Sequence, residues 1–82
     1  MHKPLQPLPT IPLGKYRHYR GYEYDVIAVG RYEATEEPVV VYRALYSVPD
    51  VGAGAVWVRP VAEFLAKVEV DGKTVPRFIR LK

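Results

Sequence analysis

The sequence predicts an all-β domain: a small, strongly bent antiparallel barrel of five or six short strands, with one short helix near residues 60–66. Three observations carry that reading. Tyr22, Tyr24 and Val26 alternate with Glu23 and Asp25, which is the two-residue period of a half-buried strand. Val39 to Tyr46 is an almost unbroken β-branched and aromatic run whose only charge is Arg43. Val68-Glu69-Val70 and Lys73-Thr74-Val75 flank Asp71-Gly72, a two-residue hairpin signal. A flat sheet of such strands would leave one apolar face wet, so the sheet is expected to bend onto itself.

The elements follow in chain order. Residues 1–13 form an arm, because Pro4, Pro7, Pro9 and Pro12 remove backbone donors and favour extended polyproline II. Its two PxxP spacings, Pro4 to Pro7 and Pro9 to Pro12, would suit docking to an SH3 or WW partner, but such spacings are common by chance and the arm is read first as solvated or draped on the domain through Leu8, Ile11 and Leu13. Residues 14–82 are the barrel domain. Tyr16 to Tyr19 form a short strand and Arg20-Gly21 a turn. The next strand changes face after Val26, where Ile27 and Val29 fall on the polar side, so a bulge or double coverage is expected there. Gly30 suits a strong bend. Residues 33–38 are a charged hairpin loop, and Val39–Tyr46 is expected to be central and covered on both faces. Residues 47–54 form a loop, and Ala55 to Arg59 a strand around Trp57. Pro60 opens the helix. Val61, Phe64, Leu65 and Val68 share its apolar stripe, and Glu63 pairs with Lys67. The Asp71-Gly72 turn sets Val70 opposite Lys73, Glu69 opposite Thr74 and Val68 opposite Val75. Pro76 marks an edge strand.

The chain has 82 residues, 49% apolar and 26% charged, which suits one ordinary globular domain and not a disordered segment. A domain of this size buries little core, so its seven Tyr, two Phe and one Trp are expected to fill it. There is no cysteine, which excludes disulfides, thiolate zinc sites and thiol nucleophiles. No apolar run reaches the roughly 18–20 residues of a membrane span. The prolines of the arm break any secretory or transit helix, so the cytoplasm is the expected location. Twelve Lys+Arg against nine Asp+Glu give +3 and a pI near 9.3. That permits a nucleic-acid partner without demanding one.

Gly14 to about Phe78 resembles the bacterial domain-of-unknown-function 1653 family. The likeness is carried by the YRHY-Gly opening (Tyr16 to Tyr19, with Gly21), VVYRALY (Val40 to Tyr46), WVRP (Trp57 to Pro60) and VEVDGK-x-VPRF (Val68 to Phe78). The resemblance implies a small SH3-like β-barrel and implies no activity, cofactor or catalytic residue. The Pro-rich arm and the SVPDVGAG loop depart from the family's usual pattern. An SH3-like fold hosts nucleic-acid, peptide and small-ligand binding without choosing among them.

Catalytic constellations are thin. A triad would have to use Ser47, His18 and Asp25 or Asp50, with no nucleophile-elbow glycines. Glu36-Glu37 reads as a solvated turn, and two histidines cannot build a metal site. The chain is therefore expected to be a non-enzymatic binding module needing no cofactor. Arg17, His18, Tyr19, Arg43, Trp57 and Arg59 are the candidate ligand-binding residues: guanidinium groups pair with phosphate and aromatic rings stack on bases. The partner this composition favours is RNA or a nucleotide-like ligand. The competing structural reading has Arg43 paired with Glu23 or Asp25, Tyr16 and Trp57 in the core, and Arg59 bracing the helix start. The alternative function is a protein-interaction module that takes an extended or Pro-rich peptide, or a second copy of the chain as a homodimer.

Overall fold

The structure, a computed structural model, describes residues 7–48 and 52–81. Its elements are β1 (Gly14–His18), β2 (Glu23–Tyr32), β3 (Glu37–Ala44), β4 (Ser47–Val48), β5 (Gly52–Ala53), β6 (Val56–Pro60), α1 (Val61–Phe64), β7 (Lys67–Val70), β8 (Lys73–Pro76) and β9 (Phe78–Arg80). The fold is all-β. Five strands form one antiparallel sheet in the order β6-β3-β2-β1-β9. The hairpins β4–β5 and β7–β8 stand apart from it, so the described residues hold more strands than the five or six expected. Two of the additional strands arise because residues flanking 49–51 pair with each other, Ser47 with Ala53 and Val48 with Gly52, and a further one because the last run is divided at Arg77 into β8 and β9. Among the described residues no helix is long and apolar enough to cross a membrane.

The face change after Val26 is a β-bulge. Val26 lies opposite Tyr42, the register then slips past Ile27, and Ala28 lies opposite Val41. Residues opposite each other in an antiparallel ladder share a face, so Val26 and Val29 both point inward, three positions apart. Gly30 lies beyond the bulge. It sits in regular register with Val39, and a Cβ there would meet nothing within 4 Å. The one extra residue at Ile27 is what breaks the ladder. β3 is central, between β2 and β6. Its inner face is buried at Val40, Tyr42 and Ala44, whereas Arg43 on the outer face is exposed.

The sheet curls until its edges approach. Phe78 on β9 lies 5.9 Å from the Arg59 guanidinium on β6. Hydrogen bonds do not join these two edges. The Phe64 ring of α1 fills the gap instead, stacked on Phe78 at 4.3 Å and 12°. Tyr16, Tyr24 and Tyr42 extend this cluster through edge-to-face contacts of 5.0–5.9 Å. The small barrel thus acquires its core largely from aromatic rings. Ile11 belongs to that core, and the Tyr16 hydroxyl donates to the Pro12 carbonyl at 2.8 Å. The described part of the arm, residues 7–13, is therefore draped on the barrel through Ile11, while Leu8 and Leu13 stay exposed. Pro4 lies outside the described residues.

Two local expectations near the helix fail. α1 is a single turn, so it presents only Val61 and Phe64 to the core. Leu65, expected on the stripe, is 60% exposed, whereas Val68 belongs to β7, as its alternation with Glu69 and Val70 predicts. Lys67 falls beyond the helix, and Glu63 pairs with Arg59 instead, at 3.3 Å. The Asp71-Gly72 hairpin has the expected register, and both turn residues hold positive φ (50° and 77°), as a type I′ turn requires.

Candidate functional site

Strand register sorts the sequence candidates onto two faces. On the concave side lie His18, opposite Phe78; Trp57, opposite Tyr42; and Arg59, opposite Val40. On the convex side lie Arg17, opposite Glu23, and Arg43, opposite Asp25 and Val56. The proposed six-residue face therefore does not exist as one surface. Arg17 and Arg43 point away from Trp57 and Arg59 because side chains alternate along a strand. Arg17 donates to the Glu23 carboxylate at 3.1 Å, and Lys15 approaches the same carboxylate at 3.9 Å. Arg43 makes no ion pair among the described residues, so neither suggested carboxylate partner holds it.

Trp57 and Arg59 open onto a pocket of about 400 Å³ lined by these two residues with Tyr24, Tyr42, Tyr46, Val58, Pro60 and Glu63. That volume lies within the range of small-ligand sites. The rings are fixed against one another. The Tyr24 and Tyr46 hydroxyls are 2.8 Å apart, the Tyr24 ring meets Tyr42 edge-on at 5.0 Å, and Tyr22 lies over Tyr46 at 4.8 Å. Burial and the Tyr46 hydrogen bond raise the Tyr24 pKa well above the ordinary phenol value, so this hydroxyl stays protonated. Arg59 is held in place by donating from Nε to the Tyr42 hydroxyl and from Nη1 to the Glu63 carboxylate, both at 3.3 Å. It does brace the helix start, as the structural reading anticipated. Two of its roughly five N–H donors are thereby engaged, which leaves guanidinium edge for a ligand.

His18 sits beside this pocket and not in it. Its ring is edge-on to Phe78 at 5.0 Å and tilted over Tyr19 at 4.5 Å. Its Nδ1 accepts the backbone N–H of Arg20 at 3.2 Å, which places the neutral ring's proton on Nε2. Burial, then the nearby Arg59, Arg77 and Arg20 charges, lower its pKa. Asp25 faces the opposite side of the sheet, so His18 has no carboxylate to orient it from there. The triad candidate loses its geometry on that ground, and Asp50 lies outside the described residues.

Tyr19 lies in the β1–β2 turn, where its hydroxyl accepts from Arg20 Nε at 3.2 Å. Its ring lies below the Arg20 guanidinium, not over the pocket.

A search of family profiles matches residues 14–80 to the family described as "Protein of unknown function (DUF1653)". The chain belongs to that family. A crystal structure of a DUF1653 protein from Bordetella bronchiseptica is similar to it, with 32% identity, 87% of each chain covered and a TM-score of 0.76. No curated protein matches the chain. The DUF1653 segment contains every residue of the pocket, whereas Ile11 and Pro12, which seat the arm, lie before it.

The sequence reading missed Tyr24, Tyr42, Tyr46 and Glu63. A signal for the tyrosines was present. Tyr24 alternates with Val26, and Tyr42 and Trp57 centre two neighbouring β runs. Pairing those runs about their aromatic residues places the rings on one face. Arg77, directly after Pro76, was quoted only as part of a motif.

Proposed function

We propose that this DUF1653 chain is a non-enzymatic binding module whose concave pocket takes the ring of a nucleotide-like anionic ligand. The observation that carries this reading is the combination of a pocket walled by Tyr24, Tyr42, Tyr46 and Trp57 with one oriented guanidinium, Arg59, at its side. Aromatic walls stack on a planar base, and such stacking contributes about 1–3 kcal/mol per base. The guanidinium supplies planar, charge-assisted hydrogen bonds. The pocket accommodates a small unit, so a single exposed nucleotide is the natural fit, whether free or at a bend of an RNA strand.

Trp57 is the chain's one tryptophan and lines the pocket, so its fluorescence reports occupancy directly. Nucleoside monophosphates are expected to quench it saturably, with affinity falling as salt rises. Affinity unchanged from low to high salt would remove the anionic element of the reading.

A peptide partner is favoured by a different observation. β6 is an edge strand, and Val56 and Val58 on it are 52% and 58% exposed. An extended peptide would add to that edge by backbone hydrogen bonds. A Val58→Pro change should abolish such pairing, because proline on an edge strand blocks the approach of another strand.

A further inference from the structure

Three guanidinium groups from separate parts of the chain converge around His18, next to the ring pocket. Arg20 comes from the β1–β2 turn. Its backbone N–H binds His18 Nδ1, and its side chain lies 5.6 Å from the Tyr19 ring centre. Arg77 comes from the β8–β9 junction. Its carbonyl accepts the Tyr19 N–H at 2.9 Å, and its Nε donates to the Glu63 carbonyl at 3.1 Å. Arg59 reaches across from β6 and lies over Phe78, the ring that also packs on His18.

Among the described residues, the one carboxylate that pairs with this group is that of Glu63, which engages Arg59. Among the described residues, Arg20 and Arg77 have no ion-pair partner. Like charges held near one another beside a partly buried histidine repel one another, and an anion relieves the repulsion. The lowered pKa of His18, due first to burial and then to Arg59, Arg77 and Arg20, registers the same positive field.

We propose that the cluster of His18, Arg20, Arg59 and Arg77 is a phosphoryl subsite, occupied by the anionic group of the ligand whose ring enters the adjoining pocket. It rests on the reading above for the ring, but the anion has a readout of its own. Arg59 is shared between the two halves, so one guanidinium would contact both ring and phosphoryl oxygen. An anion on this cluster offsets the three positive charges and makes protonation of His18 easier. By linkage, binding of an anion of fixed charge tightens as pH falls through the histidine range.

The test uses sulfate, a tetrahedral dianion whose charge does not change near neutral pH, added to the full chain at constant ionic strength with chloride as the reference. The His18 imidazole signals are followed by NMR across pH. Sulfate is expected to raise the His18 titration midpoint saturably, beyond any effect of chloride. Arg77→Gln and Arg20→Gln are each expected to weaken the sulfate response by about tenfold, the loss of one hydrogen bond to a charged group. Arg20 is exposed and outside the core, so its variant is expected to retain the fold.

Equal responses to sulfate and chloride, or a sulfate response unaltered in both variants, would overturn the subsite. Adenosine, which has no phosphoryl group, tests the ring pocket separately through Trp57 quenching. Quenching by adenosine with no sulfate response leaves the pocket standing and removes the subsite. A saturable sulfate response without adenosine quenching does the reverse.

Discussion

The hydroxyls of Tyr24 and Tyr46 meet at 2.8 Å, joining the start of β2 to the residues after β3 in the lining of the pocket. Tyr46→Phe deletes one partner of a partly buried hydrogen bond and is expected to cost about 1 kcal/mol in urea denaturation. The Tyr24 phenol titrates above its ordinary value of 10.0, chiefly through burial and secondly through Tyr46. Its folded pKa exceeds its unfolded one, so this contribution to stability is complete below pH 10.0 and is lost as pH rises through the folded value. Phenolate absorbance should show Tyr24 ionising less late in Tyr46→Phe, yet still later than an exposed tyrosine.

Ile11 is 8% exposed and packs in the aromatic core although it precedes the first strand. Ile11→Ala is expected to cost about 2–5 kcal/mol, as for other buried aliphatic truncations. Deleting residues 1–12 would also remove the carbonyl that accepts the Tyr16 hydroxyl. For a domain this small, such a loss is a large share of total stability. Denaturant midpoints of the two variants check this, and an unchanged midpoint for Ile11→Ala would place the arm outside the core.

The His18 pKa lies below the ordinary histidine value of 6.5, lowered by burial first and by Arg59, Arg77 and Arg20 after it. A depressed folded pKa means that the unfolded chain takes up the proton more readily. The neutral ring's contribution is then present above pH 6.5 and lost as pH falls through the folded value. Thermal midpoints measured across this acid range should fall less steeply for His18→Gln than for the parent chain. Parallel pH profiles would mean that His18 does not supply the acid sensitivity.

The two-face arrangement makes the arginines separable. Arg59→Ala is expected to weaken nucleoside monophosphate binding by about tenfold or more, through loss of charge-assisted hydrogen bonds. Arg17→Ala and Arg43→Ala, on the convex face, should change it by only about twofold, because exposed charges at a distance are screened. Trp57 quenching gives the affinities, and thermal midpoints establish that each variant is folded. A large effect of Arg43→Ala together with none of Arg59→Ala would move the site to the other face.

The strands themselves were legible because their signals are local. Alternation at Tyr22–Val26, the β-branched run after Val39 and the Asp71-Gly72 pair each act within a few residues. The bulge was legible as a break in period at Ile27. The helix was expected near residues 60–66 because Leu65 fits its apolar stripe. Only the backbone's departure at Leu65 and Ala66 shows that one turn suffices.

The sequence by itself determined that this chain makes a small all-β domain with an aromatic core, and it determined the turn chemistry that joins the strands. Those properties follow from side-chain period, β propensity and the few residues that tolerate positive φ. The tertiary structure decided which cations share a face, that Ile11 completes the core, and that Arg20, Arg59 and Arg77 gather about His18. The reason is that register and curl, which act between strands far apart in sequence, choose the partner of each side chain. A single bulge residue is enough to exchange inside for outside.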